Sequence, residues 1–167
     1  FIHTGTCFEP NDQRQAASIY GVSKRMVWDV VRFYIETQGI PLVKIEIPNP
    51  IGPLENSSRL IPVFCEKWKK GEVPLLGAPN PVGDHLPASW LARRYVEALD
   101  ARIIGAHRVM SPSGFVLNNL ELVELFLSFA KRLGVFENAK FTIQNADAPV
   151  TIRQNLEPCP ELDDDAE

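Results

Sequence analysis

Four stretches of the chain carry apolar residues every third or fourth position, and short runs rich in β-branched residues separate them. The first helix-like stretch runs from about Ser18 to Gln38, with Gly39 placed to end it and Pro41 blocking continuation. RLIPVFCEKWKKG reads as a short amphipathic helix closed by Gly71. A third helix spans about Pro87 to Asp100, with Pro87 suited to a first turn. Its predicted apolar stripe is Leu91, Ala92, Tyr95, Val96 and Leu99, with Arg93, Arg94 and Glu97 opposite. A fourth is capped by Asn118 or Asn119, turns Leu122, Val123, Phe126, Leu127, Ala130 and Leu133 to a core, and ends at Gly134. Strands are predicted in FIHTGT, PLVKIEI, EVPLLG, HRVMS and KFTIQNA. In PLVKIEI, Val43, Ile45 and Ile47 alternate with Lys44 and Glu46, which predicts one buried face and one at least partly polar face. EPNDQRQAAS and PNPIGPLENSS are breaker-rich loops, and the acidic, Pro-rich end PCPELDDDAE is predicted to fray. Helices alternating with strands give an α/β class.

The first helix carries the chemistry. Arg25, Asp29, Arg32 and Glu36 fall at spacings of four, three and four with alternating sign, a solvent-facing ladder worth ~0.2–0.5 kcal/mol per pair. Tyr20, Lys24, Val27, Val31 and Tyr34 or Ile35 form another stripe, on which Lys24 is the single charge. Lys24 is therefore placed one turn from a phenol, on a face expected to pack. An ordinary phenol ionises near pH ~10, and an ammonium held beside one favours the phenolate. Such a pair can trade protons near neutrality. The plain alternative is a lysine that snorkels from the helix edge while Tyr20 packs.

Bulk properties exclude several classes. At 167 residues the chain fits one domain or a large part of a bigger one. Its 17 Lys and Arg against 21 Asp and Glu give a formal charge of −4, which argues against a nucleic-acid partner. Cys7, Cys65 and Cys159 are odd in number and far apart, which speaks against a disulfide framework and suits a reducing cytosol. Cys7 reads as a small buried cysteine, because no histidine is placed to activate it. His3, His85 and His107 show no metal-ligand spacing, and no apolar run approaches the ~20 residues of a membrane span. The start on Phe1 reads as a cut through a longer protein.

YGVSK, preceded by a strand ending HTGT and followed by an Ile-rich strand into NPIGP, resembles the extended short-chain dehydrogenase/reductase family. The most similar group within it is that of the NAD-dependent epimerases and dehydratases acting on nucleotide sugars. The resemblance runs from Phe1 to about Gly134. It implies the later part of a doubly wound parallel (Rossmann-type) sheet with a smaller substrate-binding subdomain. The corresponding division is residues 1–53 for the Rossmann-type part, 54–150 for mostly substrate-binding segments with returning sheet elements, and 151–167 for the acidic tail. The resemblance makes Tyr20 the acid/base, Lys24 the residue that tunes it and holds the nicotinamide ribose, and Thr6 the partner of the reacting oxygen. Asn49 would contact the nucleotide-diphosphate part of the substrate; Arg59 is a candidate replacement charge for its phosphates, with a lone surface arginine as the plain alternative. NAD or NADP is the implied cofactor, and a cytoplasmic homodimer the implied form.

Departures from the family pattern are specific. The Gly-x-x-Gly-x-x-Gly fingerprint for the cofactor pyrophosphate is not in this sequence. Gly83 and Glu46 stand where arginines are common, and the Thr6–Tyr20 link is short. Cys7 and Phe8 follow Thr6 where sugar 4,6-dehydratases carry Asp-Glu, which disfavours dehydration against epimerisation or ketoreduction. The expected function is therefore an NAD(P)-dependent epimerase or ketoreductase on a nucleotide sugar. The alternative is a non-catalytic remnant that keeps the scaffold as a binding or structural module.

Overall fold

The computed structural model describes residues 1–11, 18–100, 107–144, 152–153, 155 and 157–161. The chain divides into two compact units. The first comprises Phe1–Ile51, Asp84–Phe115 and Arg153–Glu167; the second comprises Gly52–Gly83 and Val116–Ile152. The segment 84–115 thus returns to the unit that holds the first strands.

In the first unit, β1 (Ile2–Thr6) leads into α1 (Ile19–Gln38). Ser18 caps α1 by accepting the Gly21 amide at 3.2 Å, and Gly39 ends it in the left-handed region at φ 65°. Both ends match the sequence signals. Next come β2 (Leu42–Ile47) and β3 (Asn49–Ile51). The second unit opens with α2 (Leu60–Lys69) and β4 (Leu75–Leu76), after which β5 (Val82–Pro87) crosses back. α3 (Ala88–Asp100), β6 (His107–Met110) and β7 (Pro112–Ser113) follow in the first unit. β8 (Phe115–Asn118), α4 (Asn119–Arg132) and β9 (Thr142–Ile143) return to the second, and β10 (Ile152–Arg153) and β11 (Glu157–Pro158) close the order. The boundary between units falls within β5, β8 and β10.

β1, β2 and β6 form a parallel sheet in the order β1-β2-β6, with Thr4 opposite Ile45 and Ile45 opposite Met110. Both faces are covered. Leu42 packs with Trp28, Val31 and Ile35 of α1, whereas Val43 and Ile45 pack with Leu91, Tyr95 and Ala98 of α3. This corrects the reading of PLVKIEI in one respect: its polar face, carrying Lys44, lies under α1 and is also buried. A central parallel strand has no solvent side, so alternation of residue type here marks two different interiors.

The apolar stripe of α3 is rotated from the predicted one. Leu91, Tyr95 and Ala98 face the sheet, while Ala92, Val96 and Leu99 are exposed. Arg94, expected outside, is largely buried and pairs with Glu97 at 2.7 Å and Glu161 at 3.0 Å. Glu161 belongs to the segment expected to fray. Instead, Asn155, Cys159 and Glu161 are buried, and the stretch 162–167 lies outside the described residues. The anchor is polar. Asp84, fully buried, accepts the Gly114 amide at 2.7 Å and the Asn155 amide at 2.9 Å. The Asn155 side chain donates to the carbonyls of Glu46 and Pro112. Backbone groups of the end segment are thus satisfied by buried partners, which a composition-based reading of an acidic tail cannot foresee.

The second unit has its own core of Phe64, Trp68, Leu76, Val123 and Leu127. β4 and β9 pair in parallel beside it, and the Trp68 indole donates to the Lys140 carbonyl at 2.9 Å. Asn118 caps α4 with a reciprocal box to Glu121. Leu133, expected in the core, is the exposed C-cap residue.

His3 lies on β1 opposite Lys44, with its ring 5.5 Å from that of Trp28. Burial pushes its pKa below 6.5; the charges of Lys24 and Lys44 act in the same direction and Glu9 opposes them. The unfolded chain takes up this proton near 6.5 and the folded chain only at lower pH, so stability is full above 6.5 and declines below it. Urea midpoints of the full-length protein are expected to fall between pH 7.5 and 5.5 more steeply than those of a His3→Gln variant; equal slopes would exclude His3 as the cause.

Candidate active site

β1 ends at Thr6 and β2 at Ile47, side by side, and Asn49 begins β3 two residues on. Thr6 and Asn49 thus fall at the carboxyl ends of parallel strands, where open α/β sheets place their ligands. The start of α1 lies against the loop that leaves β1. A Cβ built on Gly21 would sit 2.1 Å from the Phe8 carbonyl oxygen, so only glycine permits this approach. The approach puts Tyr20 edge-on to Phe8, with ring centroids 6.4 Å apart.

Tyr20 is 53% exposed, and no described residue hydrogen-bonds its phenol. Lys24 is half-buried and donates to the Thr4 carbonyl at 2.6 Å, which pins it to β1. An ammonium has three donors, so two remain for other acceptors. The packed stripe of α1 differs from the predicted one by one position. Gly21, Trp28 and Ile35 face the sheet with Lys24 and Val31 at their flank, whereas Tyr20, Val27 and Tyr34 are exposed. Tyr20, Val27 and Tyr34 are each one residue before the buried set, so both stripes share Lys24 and Val31; periodicity alone could not separate them. The charged ladder is present, with Arg25–Asp29 at 3.1 Å and Arg32–Glu36 at 3.8 Å.

Thr6 is buried. Its amide donates to Glu9 Oε1 at 2.9 Å and its hydroxyl oxygen accepts the Phe8 amide at 3.3 Å, which leaves the hydroxyl proton available. Cys7 is buried and its amide donates to the Ile47 carbonyl, as expected of a structural cysteine. Within the Thr6–Tyr20 link, residues 12–17 lie outside the described residues. The structure therefore gathers Thr6, Tyr20 and Lys24 around Thr4 and Phe8, with Asn49 beyond the neighbouring strand end. Arg59 belongs to the second unit, where it precedes α2 and pairs with Glu55 at 3.1 Å.

A group not singled out as functional in the sequence stands beside this site. Lys44, with its side chain only 4% exposed, bonds Glu9 Oε2 at 2.6 Å and Glu46 Oε1 at 2.8 Å, and lies 4.8 Å from the Trp28 ring centroid. The signal was present: a lysine in mid-strand between apolar residues, in a sheet that the α/β pattern covers on both sides. Among the described residues no group of three His, Cys, Asp or Glu side chains could hold a metal, and no helix is long and apolar enough to cross a membrane.

The model of the NAD dependent epimerase/dehydratase family matches residues 4–110. The chain belongs to that family, and the architecture is the expected later part of a Rossmann-type α/β sheet. No curated protein sequence matches it. Among solved structures it is similar to UDP-N-acetylglucosamine 4-epimerase from Methanobrevibacter ruminantium M1 in complex with UDP-N-acetylmuramic acid, at 17% identity and TM-score 0.71, over 99% of this chain and 56% of that one. It is similar to UDP-N-acetylglucosamine 4-epimerase from Bacillus cereus at 17% identity and TM-score 0.72, over 96% and 57%. A dTDP-glucose 4,6-dehydratase from Bacillus anthracis str. Ames in complex with NAD matches at 19% identity and TM-score 0.68, over 92% and 52%. The chain thus spans little more than half the length of these structures.

Gly21→Ala tests the close approach. Helix propensity alone would favour alanine by ~1 kcal/mol. The overlap with a backbone oxygen outweighs that gain, and a net loss of about 1–3 kcal/mol is expected in chemical denaturation of the full-length protein. A stabilised variant would show that α1 does not rest on the Phe8 carbonyl.

Proposed function

We propose that the full-length protein is an NAD(P)-dependent epimerase or ketoreductase acting on a nucleotide sugar. The observation that carries this reading is the half-exposed Tyr20 phenol, one turn from an ammonium pinned at β1 beside Thr6. The residues present suit the ribose end of a nicotinamide cofactor. Tyr20 has a phenol without a described partner, and Lys24 has two donors to spare. When bound, the nicotinamide supplies the hydride acceptor and donor.

This chain's own residues handle the proton and the orientation. Tyr20, as the phenolate, takes the proton from a sugar hydroxyl as that carbon is oxidised, and the phenol so formed returns it on reduction. The Thr6 hydroxyl, its oxygen already satisfied by the Phe8 amide, donates to the same sugar oxygen and fixes its position. Lys24 holds the ribose hydroxyls and adds positive potential near the phenol. Asn49 contacts the nucleotide-diphosphate part, and the second unit, with Arg59, forms a substrate-binding subdomain. Dehydration fits less well, since a buried Cys7 and Phe8 follow Thr6.

The exposed apolar residues of α1, including Met26, Val30 and Phe33 (64% exposed), support a homodimer that covers this helix face. A cytoplasmic setting accords with the three free cysteines. The second reading, a non-catalytic scaffold, draws on Gly83 and Glu46 standing in place of phosphate-pairing arginines.

Titrating the full-length protein with NADH separates the two: saturable fluorescence is expected of the enzyme, and a flat response would favour the scaffold. Tyr20→Phe is expected to lower turnover by ~10²–10⁴-fold while cofactor affinity stays within about twofold, and Lys24→Met to weaken both. Retention of most of the rate in Tyr20→Phe would end the acid/base assignment. Phe33→Glu is expected to shift the sedimenting species from dimer to monomer; an unchanged mass would exclude α1 as the interface.

A further inference from the structure

A buried charge cluster lies directly behind the loop that carries Thr6. Lys44 bonds Glu9 at 2.6 Å and Glu46 at 2.8 Å, and Glu46 also accepts the Ser111 hydroxyl at 3.2 Å. Burying an ammonium and two carboxylates is costly, and a well-packed apolar cluster of the same volume would often hold the fold as well or better. Its use is better sought in what it fixes. Glu9 turns its other oxygen, Oε1, to the Thr6 amide at 2.9 Å, and the Glu9 amide donates to the Thr6 carbonyl at 3.1 Å. Between them, Phe8 donates to the Thr6 hydroxyl oxygen, presents its carbonyl to Gly21 and its ring to Tyr20. Gly5 leaves the necessary room, since a Cβ there would meet Lys44 Cε at 2.6 Å and Glu9 Oε1 at 2.7 Å.

We propose that Lys44, acting through Glu9, is a positioning residue that sets the loop from Thr6 to Glu9 and with it the spacing of the Thr6 hydroxyl and the Tyr20 phenol. Lys44 touches neither substrate nor cofactor. It grips one oxygen of a carboxylate whose second oxygen holds the Thr6 amide, so the loop is braced from the interior of the sheet. Trp28, on the sheet-facing side of α1, lies against the same ammonium, so helix and loop share one support. The role rests on the enzymatic reading of Tyr20 and Thr6, whereas the bracing does not.

Full-length Lys44→Met, Glu9→Gln and the double variant test both parts. Maleimide labelling of Cys7, mapped by mass spectrometry, reports loop opening without reference to turnover, because Cys7 is buried between Thr6 and Phe8. Lys44→Met is expected to label Cys7 about 10-fold faster while Cys159 labels at the original rate. Its kcat is expected to fall ~10–100-fold, with KM for the nucleotide sugar within about twofold, as misplacement of catalytic groups predicts. In the double variant, glutamine still offers an oxygen to the Thr6 amide and no carboxylate is left uncompensated at residue 9, so much of the lost kcat should return. An unchanged Cys7 rate and kcat in a folded Lys44→Met variant would overturn the proposal. So would parallel changes of kcat and KM that the double variant does not relieve. If Lys44→Met does not fold, the double variant is compared with Glu9→Gln: a Cys7 labelling rate and kcat that match those of Glu9→Gln support action through Glu9, and a folded double variant with kcat more than about fivefold below that of Glu9→Gln refutes it. Absence of turnover in the unmodified protein would defeat the enzymatic reading, and the bracing would then stand or fall on Cys7 labelling alone.

Discussion

A missing side chain governs this unit. Because residue 21 has no Cβ, the first turn of α1 rests on the Phe8 carbonyl at a distance no other residue allows. That contact sets where Tyr20 emerges from the helix. It also brings Lys24 within reach of the Thr4 carbonyl, so the ammonium is fixed to the strand. Glycine in a first helical turn costs helix stability, and the sequence tolerates that cost because the approach is worth more.

Beneath this contact the sheet carries charge where a parallel sheet normally carries only hydrocarbon. Leu42 and Lys44 share the α1 side of β2, and the same helix face that covers Leu42 also lies over the Lys44 ammonium through Trp28. Two carboxylates neutralise Lys44 from the loop and from its own strand. Electrostatic attraction in a poorly solvated interior is strong only when geometry is good, so such a cluster tolerates little movement of its parts. A site that must hold a hydroxyl to within fractions of an ångström benefits from that intolerance.

Much of the architecture was readable in the residues. Ser18, Gly39 and Asn118 marked helix ends because capping is local chemistry, and the structure uses all three. The strand-helix alternation gave the α/β class for the same reason. What failed depended on partners far away in sequence. The true inner stripe of α1 is set by the Phe8 carbonyl, and Arg94 turns inward because Glu161 meets it. The end segment is held by Asp84, more than seventy residues earlier. Of the candidate site, the type and spacing of Tyr20 and Lys24 were visible, but the depth of Thr6 and the buried ion pair behind it were not. A charge in mid-strand reads as a surface residue until both faces of the sheet are seen to be covered.

The proposed function rests on one arrangement: two hydroxyls, carried by α1 and by the end of β1, meeting at a single reacting oxygen. A crystal structure of the full-length protein with NAD and a UDP-sugar would decide it. Tyr20 Oη and Thr6 Oγ1 should each lie within about 3.2 Å of the same sugar oxygen. A bound sugar whose nearest oxygen is out of reach of Tyr20, with the phenol facing solvent, would contradict it.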